Sequence, residues 1–245
     1  MMAAAAAQES DPIAELITTY HELNSSIVEE LTEEPSPLEF MRYVARNTPF
    51  VVRGGARDWQ ATKTWNVEYL TQFLQDHNVN NDNLRHEYRA LFSQVQRSVP
   101  WARIALQQDP DAINLWIGNA RSVTALHRDN YENVYVQVAG RKHFILLPPL
   151  CQPCVHERPL RPAHYVRRDR PRQDQGEEGE EKEGSGDNNR SSSLELVMEE
   201  DADDVPFATW DPDNAQVNTT KYSHLASPMH VTLEPGDMFY LPAMW

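Results

Sequence analysis

The sequence predicts a mainly β protein with N-terminal helices, in which short strands form an antiparallel barrel or sandwich. Apolar residues at helical spacing dominate the first part of the chain, whereas short β-rich runs dominate after Asp109. Turn residues separate these runs, notably Gly140 and the EPGD segment at 234–237. Short strands at such spacing are typical of antiparallel barrels and sandwiches.

The N-terminal third is predicted to contain helices around one entering strand. An apolar stripe indicates a helix over residues 11–32. Ser36 followed by Pro37 is typical of a helix start, and Asn66 can cap a further amphipathic helix. Residues 49–53 form a β-rich run ended by two glycines, which predicts a strand and its turn.

Helical spacing returns over two segments before the strands begin, at 84–95 and 101–106. The predicted strands that follow are 113–117, 123–126, 134–138, 143–147, 229–233 and 238–241. The Pro and Gly of the EPGD segment suit a tight turn between the last two strands, since Pro fixes one φ and Gly supplies a positive one.

Composition indicates a globular intracellular chain. The 245 residues are 40% apolar and include 6 Trp, which is enough for a sizeable core. No apolar run approaches the roughly 18 residues of a membrane span, and the N-terminus has no basic region before an apolar one, as a secretory signal would. We therefore expect a soluble protein of the cytoplasm or nucleus.

The net charge of −15 is concentrated in one segment. Residues 173–204 hold 13 acidic and 2 basic residues, a net charge of −11. This segment is rich in Gly and Ser and poor in aromatic residues, which predicts a disordered insertion. It is either a solvated connection or an attractive surface for a basic partner. The basic run at 158–172 does not predict nucleic-acid binding, because the chain as a whole offers no positive surface.

Cys151 and Cys154 have the C-x-x-C spacing that is compatible with redox chemistry or with half of a zinc site. The sequence has no second Cys pair, and prolines flank this one where a redox motif would open a helix. We interpret the two residues as loop thiols.

Residues 124–142, TALHRDNYENVYVQVAGRK, hold the one ligand spacing that a metal could use. His127 and Asp129 are two residues apart and would project from the same face of a strand. With a second His they would complete the two-His-one-carboxylate triad that binds Fe(II) and leaves positions open for a co-substrate and dioxygen. The tripeptide alone is weak support, because it is equally compatible with a surface hydrogen-bonding pair.

Three segments together resemble the jumonji-C oxygenases of the cupin superfamily. They are PFVVRGGARDW, NLWIGNARSVTALHRDNYENVYVQVAGRKHFILLPP and VTLEPGDMFYLPAMW. The resemblance implies an N-terminal helical region over 1–35 and an incomplete double-stranded β-helix, a jelly-roll or cupin of jumonji-C type, over 36–245. It also implies bound Fe(II) and 2-oxoglutarate as co-substrate.

The resemblance assigns roles by position in the family's motifs. His127 and Asp129 would be iron ligands, and Lys142 would bind the far carboxylate of 2-oxoglutarate, a role that suits a compact ammonium on an interior strand. Three further residues would line the same co-substrate: Thr124, Asn133 and Tyr135. These three are otherwise interpreted as ordinary hydrogen-bonding residues of the barrel interior.

Two departures from the family reduce the expected activity. The family's third ligand is a His just after the segment corresponding to LPAMW, whereas the sequence as given ends at Trp245. His224 and His230 precede the PGD turn, whereas the third ligand of the family follows it, so neither matches that ligand by position. Of the two, His230 is the conceivable substitute. Around residues 79–83 relatives carry additional strands, one with a Tyr that reaches the co-substrate, and Tyr88 does not replace it because it lies in helical spacing.

Three functions follow from the resemblance. The first is an Fe(II)- and 2-oxoglutarate-dependent dioxygenase that hydroxylates a protein side chain, with a lysyl residue implied, impaired here by the absent third ligand. The second is a catalytically inactive cupin-like interaction module, and the third a jumonji-C histone demethylase or protease. The expected partner is a protein or peptide substrate, with neither nucleic acid nor membrane, and a homodimer is left open.

Overall fold

The structure is a computed structural model that describes residues 11–73, 81–167, 194–199 and 201–245. It divides into two compact units, one within Met1–His156 and Ala208–Trp245 and the other within Glu157–Phe207. The predicted boundary between residues 35 and 36 stays a prediction.

The described residues contain helices chiefly in the first half of the chain. The α-helices are α1 Pro12–Leu23, α2 Pro37–Arg46, α3 Gln60–Thr64, α4 Val67–Leu70, α5 Asn83–His86, α6 Arg89–Phe92 and α7 Pro100–Leu106. Three 3₁₀ helices follow: η1 Pro149–Cys154, η2 Pro212–Asn214 and η3 Ser223–Leu225.

The strands are distributed along the whole chain. They are β1 Glu29–Leu31, β2 Phe50–Val52, β3 Asn133–Val136, β4 Lys142–Leu146, β5 Glu157–Leu160, β6 Ala163–Arg167, β7 Leu194–Met198, β8 Val205–Ala208, β9 Met229–Leu233 and β10 Met238–Leu241. The predicted strands 229–233 and 238–241 are confirmed, and those at 134–138 and 143–147 are each displaced by one residue at their start.

The predicted helix over 11–32 is only half correct. Asp11 caps α1 by accepting hydrogen bonds from the backbone of Ile13 and Ala14. The helix ends at Leu23, and the Ser25 hydroxyl then hydrogen-bonds to Ile27 N and O, which stabilises a turn in place of further helix. Residues after this turn enter β1.

The helix start at Ser36 is confirmed with a complete capping box. The Ser36 hydroxyl accepts a hydrogen bond from Glu39 N, and the Glu39 carboxylate accepts one from Ser36 N at 2.8 Å. Pro37 occupies the first turn, where its missing N–H costs nothing. The helix therefore begins at a defined residue and presents Phe40 and Tyr43 to the core.

A four-stranded sheet in the order β1-β2-β10-β3 organises the first unit. β1 runs parallel to β2, whereas β10 is antiparallel to both β2 and β3. Because side chains alternate along each strand, Val51, Phe239 and Tyr135 lie in one row and share a face. We call this the inner face.

The inner face packs against the antiparallel pair β4–β9. The buried side chains between them are Val28, Val51, Leu146, Met229, Val231, Leu233, Phe239 and Trp245. Phe144 contacts this cluster from β4, and its ring meets Tyr135 edge-on at 5.2 Å between centroids. This layer is the interior of the jelly-roll.

The opposite face of the sheet packs against α2 and α7. The buried cluster there is Phe40, Tyr43, Phe50, Val52, Ala56, Trp101, Met238 and Tyr240. Phe40 meets Trp101 at 4.7 Å and Tyr240 at 4.8 Å, both edge-on. β2 is consequently buried on both faces, as its three apolar residues predict.

The EPGD turn is confirmed and joins β9 to β10. The Asp237 carboxylate is buried and accepts hydrogen bonds from Gly54 N and Glu234 N, both at 2.9 Å, and from Arg53 at 2.6 Å. Gly236 has a φ of +92°, and a Cβ there would lie 3.2 Å from the backbone of Arg57. Only glycine fits this approach without displacement.

The predicted strands at 113–117 and 123–126 are wrong, because the structure has no strand in either segment. The first segment finds its hydrogen bonds elsewhere. The side chains of Asp82 and Asn83 accept from the backbone of Ile113 and Leu115, at 2.7 and 2.8 Å. Polar side chains thus take the place of a neighbouring strand.

The second unit consists of two-stranded sheets, in which β5 pairs with β8 and β6 pairs antiparallel with β7. β7 lies inside the segment 173–204 that was predicted to be a disordered insertion, so its last part contains a strand. Residues 173–193 and Glu200 of that segment lie outside the described residues.

Within the described ranges, no helix is both long and apolar enough to cross a bilayer.

Candidate functional site

Lys142 begins β4, and its ammonium lies beside Tyr135 of the inner face. Its ammonium lies 5.0 Å from the ring centre of Tyr135, 5.2 Å from that of Phe144 and 6.0 Å from that of Trp116. No carboxylate among the described residues forms an ion pair with it. Partial burial lowers the pKa of Lys142 below its usual value. An anion placed here would compensate a cation that the described residues leave unpaired.

Asn133 and Tyr135 lie on the same face of β3, as their spacing of two residues predicts. Burial raises the pKa of Tyr135, so its hydroxyl is protonated at neutral pH. The Asn133 amide donates a hydrogen bond to Tyr131 O at 3.1 Å. Thr124 is exposed in irregular chain and has no hydrogen bond within the described residues. The structure thus joins Tyr135 to Lys142 but gives Thr124 no contact with either.

His127 and Asp129 face each other across 3.9 Å between Nε2 and Oδ2. His127 Nδ1 lies 2.8 Å from Ala125 O. In the tautomer with Nδ1–H donating to that carbonyl, Nε2 keeps its lone pair and points toward Asp129. A backbone hydrogen bond that fixes the far nitrogen in this way is typical of metal-binding histidines. The pair therefore presents two possible donor atoms, Nε2 of His127 and Oδ2 of Asp129, side by side.

The backbone that holds this pair is irregular rather than a strand, so the predicted strand geometry is wrong at 127–129. The position of Asp129 is set instead by the residues after β10. Met244 N donates to Asp129 O at 2.7 Å, and the Trp245 indole donates to Asn47 O at 2.9 Å. The residues that follow β10 thus hold the backbone of Asp129 in place, as a neighbouring strand would do if the pair lay on a strand.

A third protein donor is not found in the described parts of the chain. No group of three or more His, Cys, Asp or Glu residues there is arranged to hold a metal ion. His230 is exposed on β9, on the face opposite to Met229 and Val231, which excludes it as a substitute. Among the described residues, His127 and Asp129 thus offer two donors, where a facial triad has three.

Two residues beside Lys142 were not predicted from the sequence. Phe144 is two positions along β4, so strand periodicity could have placed it on the same face. Trp116 lies in irregular chain 26 residues before Lys142, and no periodic signal connects the two.

A family model described as a cupin-like domain matches residues 35–92 and 78–245 of this chain. The chain therefore belongs to the family of cupin-like jumonji-C domains, and the predicted fold class, a jelly-roll or cupin of jumonji-C type, is confirmed.

Three relatives from different kingdoms are similar over most of the chain. The human bifunctional peptidase and (3S)-lysyl hydroxylase JMJD7 is 27% identical over 265 residues, covering 88% of this chain and 77% of the relative. The Arabidopsis thaliana lysine-specific demethylase JMJ32 is 26% identical over 280 residues, covering 89% and 75%. The Dictyostelium discoideum JmjC domain-containing protein E is 25% identical over 284 residues, covering 88% and 76%.

These similarities place the chain in the jumonji-C oxygenase family, whose members depend in general on Fe(II) and 2-oxoglutarate. All three alignments are longer than the 245 residues of this chain. The relatives therefore have residues within the matched region that this chain lacks. The two segments matched by the family model overlap at 78–92, around the site where additional strands were expected in relatives.

Proposed function

We propose that this chain is a 2-oxoglutarate-binding jumonji-C domain of the protein hydroxylases, acting on a protein or peptide side chain, with lysine as the favoured target. The observation that supports this most strongly is Lys142, an ammonium on β4 beside the inner face, with aromatic neighbours and no acidic partner among the described residues. An uncompensated cation in a partly buried position favours binding of a carboxylate.

In this proposal the far carboxylate of 2-oxoglutarate binds Lys142. Tyr135, whose protonated hydroxyl is a hydrogen-bond donor, lies beside it, and Asn133 is on the same strand face. Thr124 would have to move from its exposed position to line the co-substrate. The partly buried position of the ammonium strengthens its attraction for the anion, because charges interact more strongly away from bulk water.

His127 and Asp129 would hold the iron, and bound iron would supply the activation of dioxygen. The hydrogen bond between Nδ1 and Ala125 O orients the imidazole, and the Met244 hydrogen bond fixes the backbone of Asp129. With two protein donors instead of three, we expect weak iron affinity and impaired turnover by this chain.

Succinate formation tests the proposal directly. The chain is incubated with Fe(II), 2-oxoglutarate and unmodified lysyl peptides, and succinate is measured against a His127→Ala variant. We expect slow succinate release that the variant lacks, increasing with Fe(II) concentration. No release above the variant at saturating Fe(II), together with no binding of 2-oxoglutarate, would contradict the proposal.

A catalytically inactive interaction module is the alternative that the site itself favours. Its support is that the described residues offer two donors and that the pair is exposed, since the side chains of His127 and Asp129 are 43% and 51% exposed. This alternative predicts that the chain binds a protein partner equally well with and without 2-oxoglutarate, and that His127→Ala binds that partner normally.

The names of two relatives support a third candidate. JMJ32 is named a lysine-specific demethylase, and JMJD7 is named a peptidase as well as a hydroxylase. Methylated histone peptides offered in the same succinate measurement distinguish these reactions. Turnover of methylated but not unmodified lysyl peptides would favour demethylation, and a cleaved peptide without succinate would favour proteolysis.

A further inference from the structure

Cys151 and Cys154 lie on η1 rather than in an open loop, which corrects the interpretation of two loop thiols. Both are free cysteines, and the residues are 1% and 0% exposed. They belong to a buried cluster with Ile17 of α1 and Trp210. The proposed oxygenase function uses neither of them.

The geometry of η1 suits a bond between the two sulfur atoms. A 3₁₀ helix has about three residues per turn and rises about 2.0 Å per residue, so residues i and i+3 stack on one side about 6 Å apart. Cα atoms joined by a disulfide are usually about 4.4–6.8 Å apart. Pro149 and Pro153 restrict the backbone of this turn. Cys151 and Cys154 are consequently held near the separation that a disulfide requires.

The surroundings make the two thiols chemically different. A hydrogen bond with Cys154, followed by burial, raises the pKa of Cys151, while the same hydrogen bond lowers the pKa of Cys154. His21 Nε2 lies 3.5 Å from Cys151 Sγ, and burial lowers the pKa of His21, which keeps the imidazole neutral. Because the thiolate is the reactive form, Cys154 is the better nucleophile of the two.

The helix α1 covers the pair. Ile17 is 1% exposed and is the buried residue of α1, whereas Leu16 on the same helix is 54% exposed. The start of α1 is held by hydrogen bonds from Lys221 and Tyr222 to Asp11. Local opening of this helix would expose the sulfur atoms without unfolding the sheet.

We propose that Cys151 and Cys154 form a redox-active dithiol that a peroxide converts into an intramolecular disulfide. The Cys154 thiolate attacks one peroxide oxygen, so that an S–O bond forms, the O–O bond breaks, and hydroxide leaves and is protonated to water. Cys151 then attacks the sulfur of the resulting sulfenic acid, forming the S–S bond and releasing a second water that contains the Cys151 proton. Two thiols are oxidised and one hydrogen peroxide is reduced to two waters.

Mass spectrometry of the full chain tests the bond. After treatment with hydrogen peroxide and alkylation, we expect the chain to have lost two hydrogen atoms, a peptide linking Cys151 to Cys154, and recovery of both thiols in dithiothreitol. Cys151→Ser is expected to stop at a sulfenic acid on Cys154 that dimedone traps. Cys154→Ser is expected to slow peroxide consumption about tenfold or more.

A pair of variants on α1 tests the covering role. Ile17→Ala should speed disulfide formation several-fold, Ile17→Val should have a smaller effect, and the matched exposed change Leu16→Ala should have none. Disulfides between chains only, or oxidation that begins only in denaturant, would overturn the proposal. Equal rates in the Ile17 and Leu16 variants would overturn the role of α1.

Discussion

At Lys142, the same partly buried charge favours binding of an anion and reduces the stability of the folded chain. Its ammonium is partly buried beside Tyr135 and Phe144, and the described residues supply no negative charge to compensate it. Burial therefore makes the charged form less favourable, as the lowered pKa shows. A charged group that is costly to bury in the free chain, and whose charge a bound ligand compensates, is typical of a binding site.

We predict that Lys142→Met weakens 2-oxoglutarate binding about ten- to a hundredfold while raising the melting temperature. A charge-assisted hydrogen bond contributes roughly 1.5–3 kcal/mol, and its loss accounts for the affinity change. The apolar methionine removes the cost of burying the ammonium among aromatic rings. Isothermal titration calorimetry and thermal unfolding measure the two effects, with Arg141→Met as the exposed neighbouring control. A lower melting temperature in Lys142→Met would contradict this account.

The lowered pKa of Lys142 determines how stability and carboxylate affinity change with pH. Because the pKa of Lys142 is lower in the folded chain, the unfolded chain binds more protons in the window below the usual lysine pKa. Stability from this residue therefore rises as pH rises through that window, while affinity for a carboxylate falls as the ammonium loses its proton. The methionine variant should lack both effects.

Among the elements, the EPGD turn joins β9, of the pair β4–β9, to β10, of the four-stranded sheet. Burial alone would raise the pKa of Asp237, but backbone donors from Glu234 and Gly54 and the Arg53 guanidinium hold it below the usual range. The carboxylate thus fixes the end of β2 to the start of β10 through two donors, Arg53 and Gly54 N, and closes the turn after β9 through a third, Glu234 N.

We predict that Asp237→Ala destabilises the first unit by about 2–4 kcal/mol, because it leaves buried backbone donors and a guanidinium unpaired. Urea unfolding measures the change, and Asp58→Ala, which removes a carboxylate that is 89% exposed, should stay within about 0.5 kcal/mol of the parent.

The contribution of Asp237 is present above the unfolded pKa of Asp and is lost as pH falls through the lower folded value. The difference between parent and Asp237→Ala should therefore shrink between about pH 4 and more acidic pH. A constant difference would argue against the ionised carboxylate as its origin.

The sequence predicted elements well where local chemistry determines them. The capping residues of α2 and the Pro-Gly turn before β10 are local signals, and both elements begin where they indicated. It failed over 24–32, where Ser25 supports a turn, and over 113–117, where Asp82 and Asn83 act as the hydrogen-bonding partner. Apolar periodicity does not show which distant side chain will compete for a backbone group.

The site was predictable to a similar extent. The family motifs drew attention to Lys142 and Tyr135, and the structure places the Lys142 ammonium 5.0 Å from the Tyr135 ring centre; their roles toward a co-substrate stay predictions. The irregular backbone at His127 and Asp129 could not be predicted, because it depends on a hydrogen bond from Met244, more than a hundred residues later in the sequence. The assignment of ligand roles to this pair stays a prediction.

At the scale of the whole molecule, the chain leaves its first unit at His156 and re-enters it at Ala208. Thr209 N donates to Val155 O at 3.2 Å, so the exit and the entry are adjacent. Such an arrangement tolerates insertion and removal of the intervening segment.

We predict that replacing residues 157–207 with a short Gly-Ser linker leaves both the unfolding midpoint of the first unit and its affinity for 2-oxoglutarate unchanged within error. The reason is that Val155 and Thr209 already lie within hydrogen-bonding distance. Thermal unfolding and calorimetry provide the measurements. A protein partner retained by the parent and lost by the shortened chain would locate recognition in the removed segment, whereas a lower midpoint would contradict the independence of the first unit.

The position of β10 between β2 and β3 also has a kinetic consequence. Arg53 and Asp237, which join the adjoining ends of β2 and β10, are 184 residues apart in sequence. Long-range pairing of this kind is expected to make folding slow. Until β10 is synthesised, the apolar side chains of β2 lack their central neighbour, and the nascent chain is prone to aggregation. We therefore expect the yield of native protein to depend on chaperones and on growth temperature more than its final stability implies.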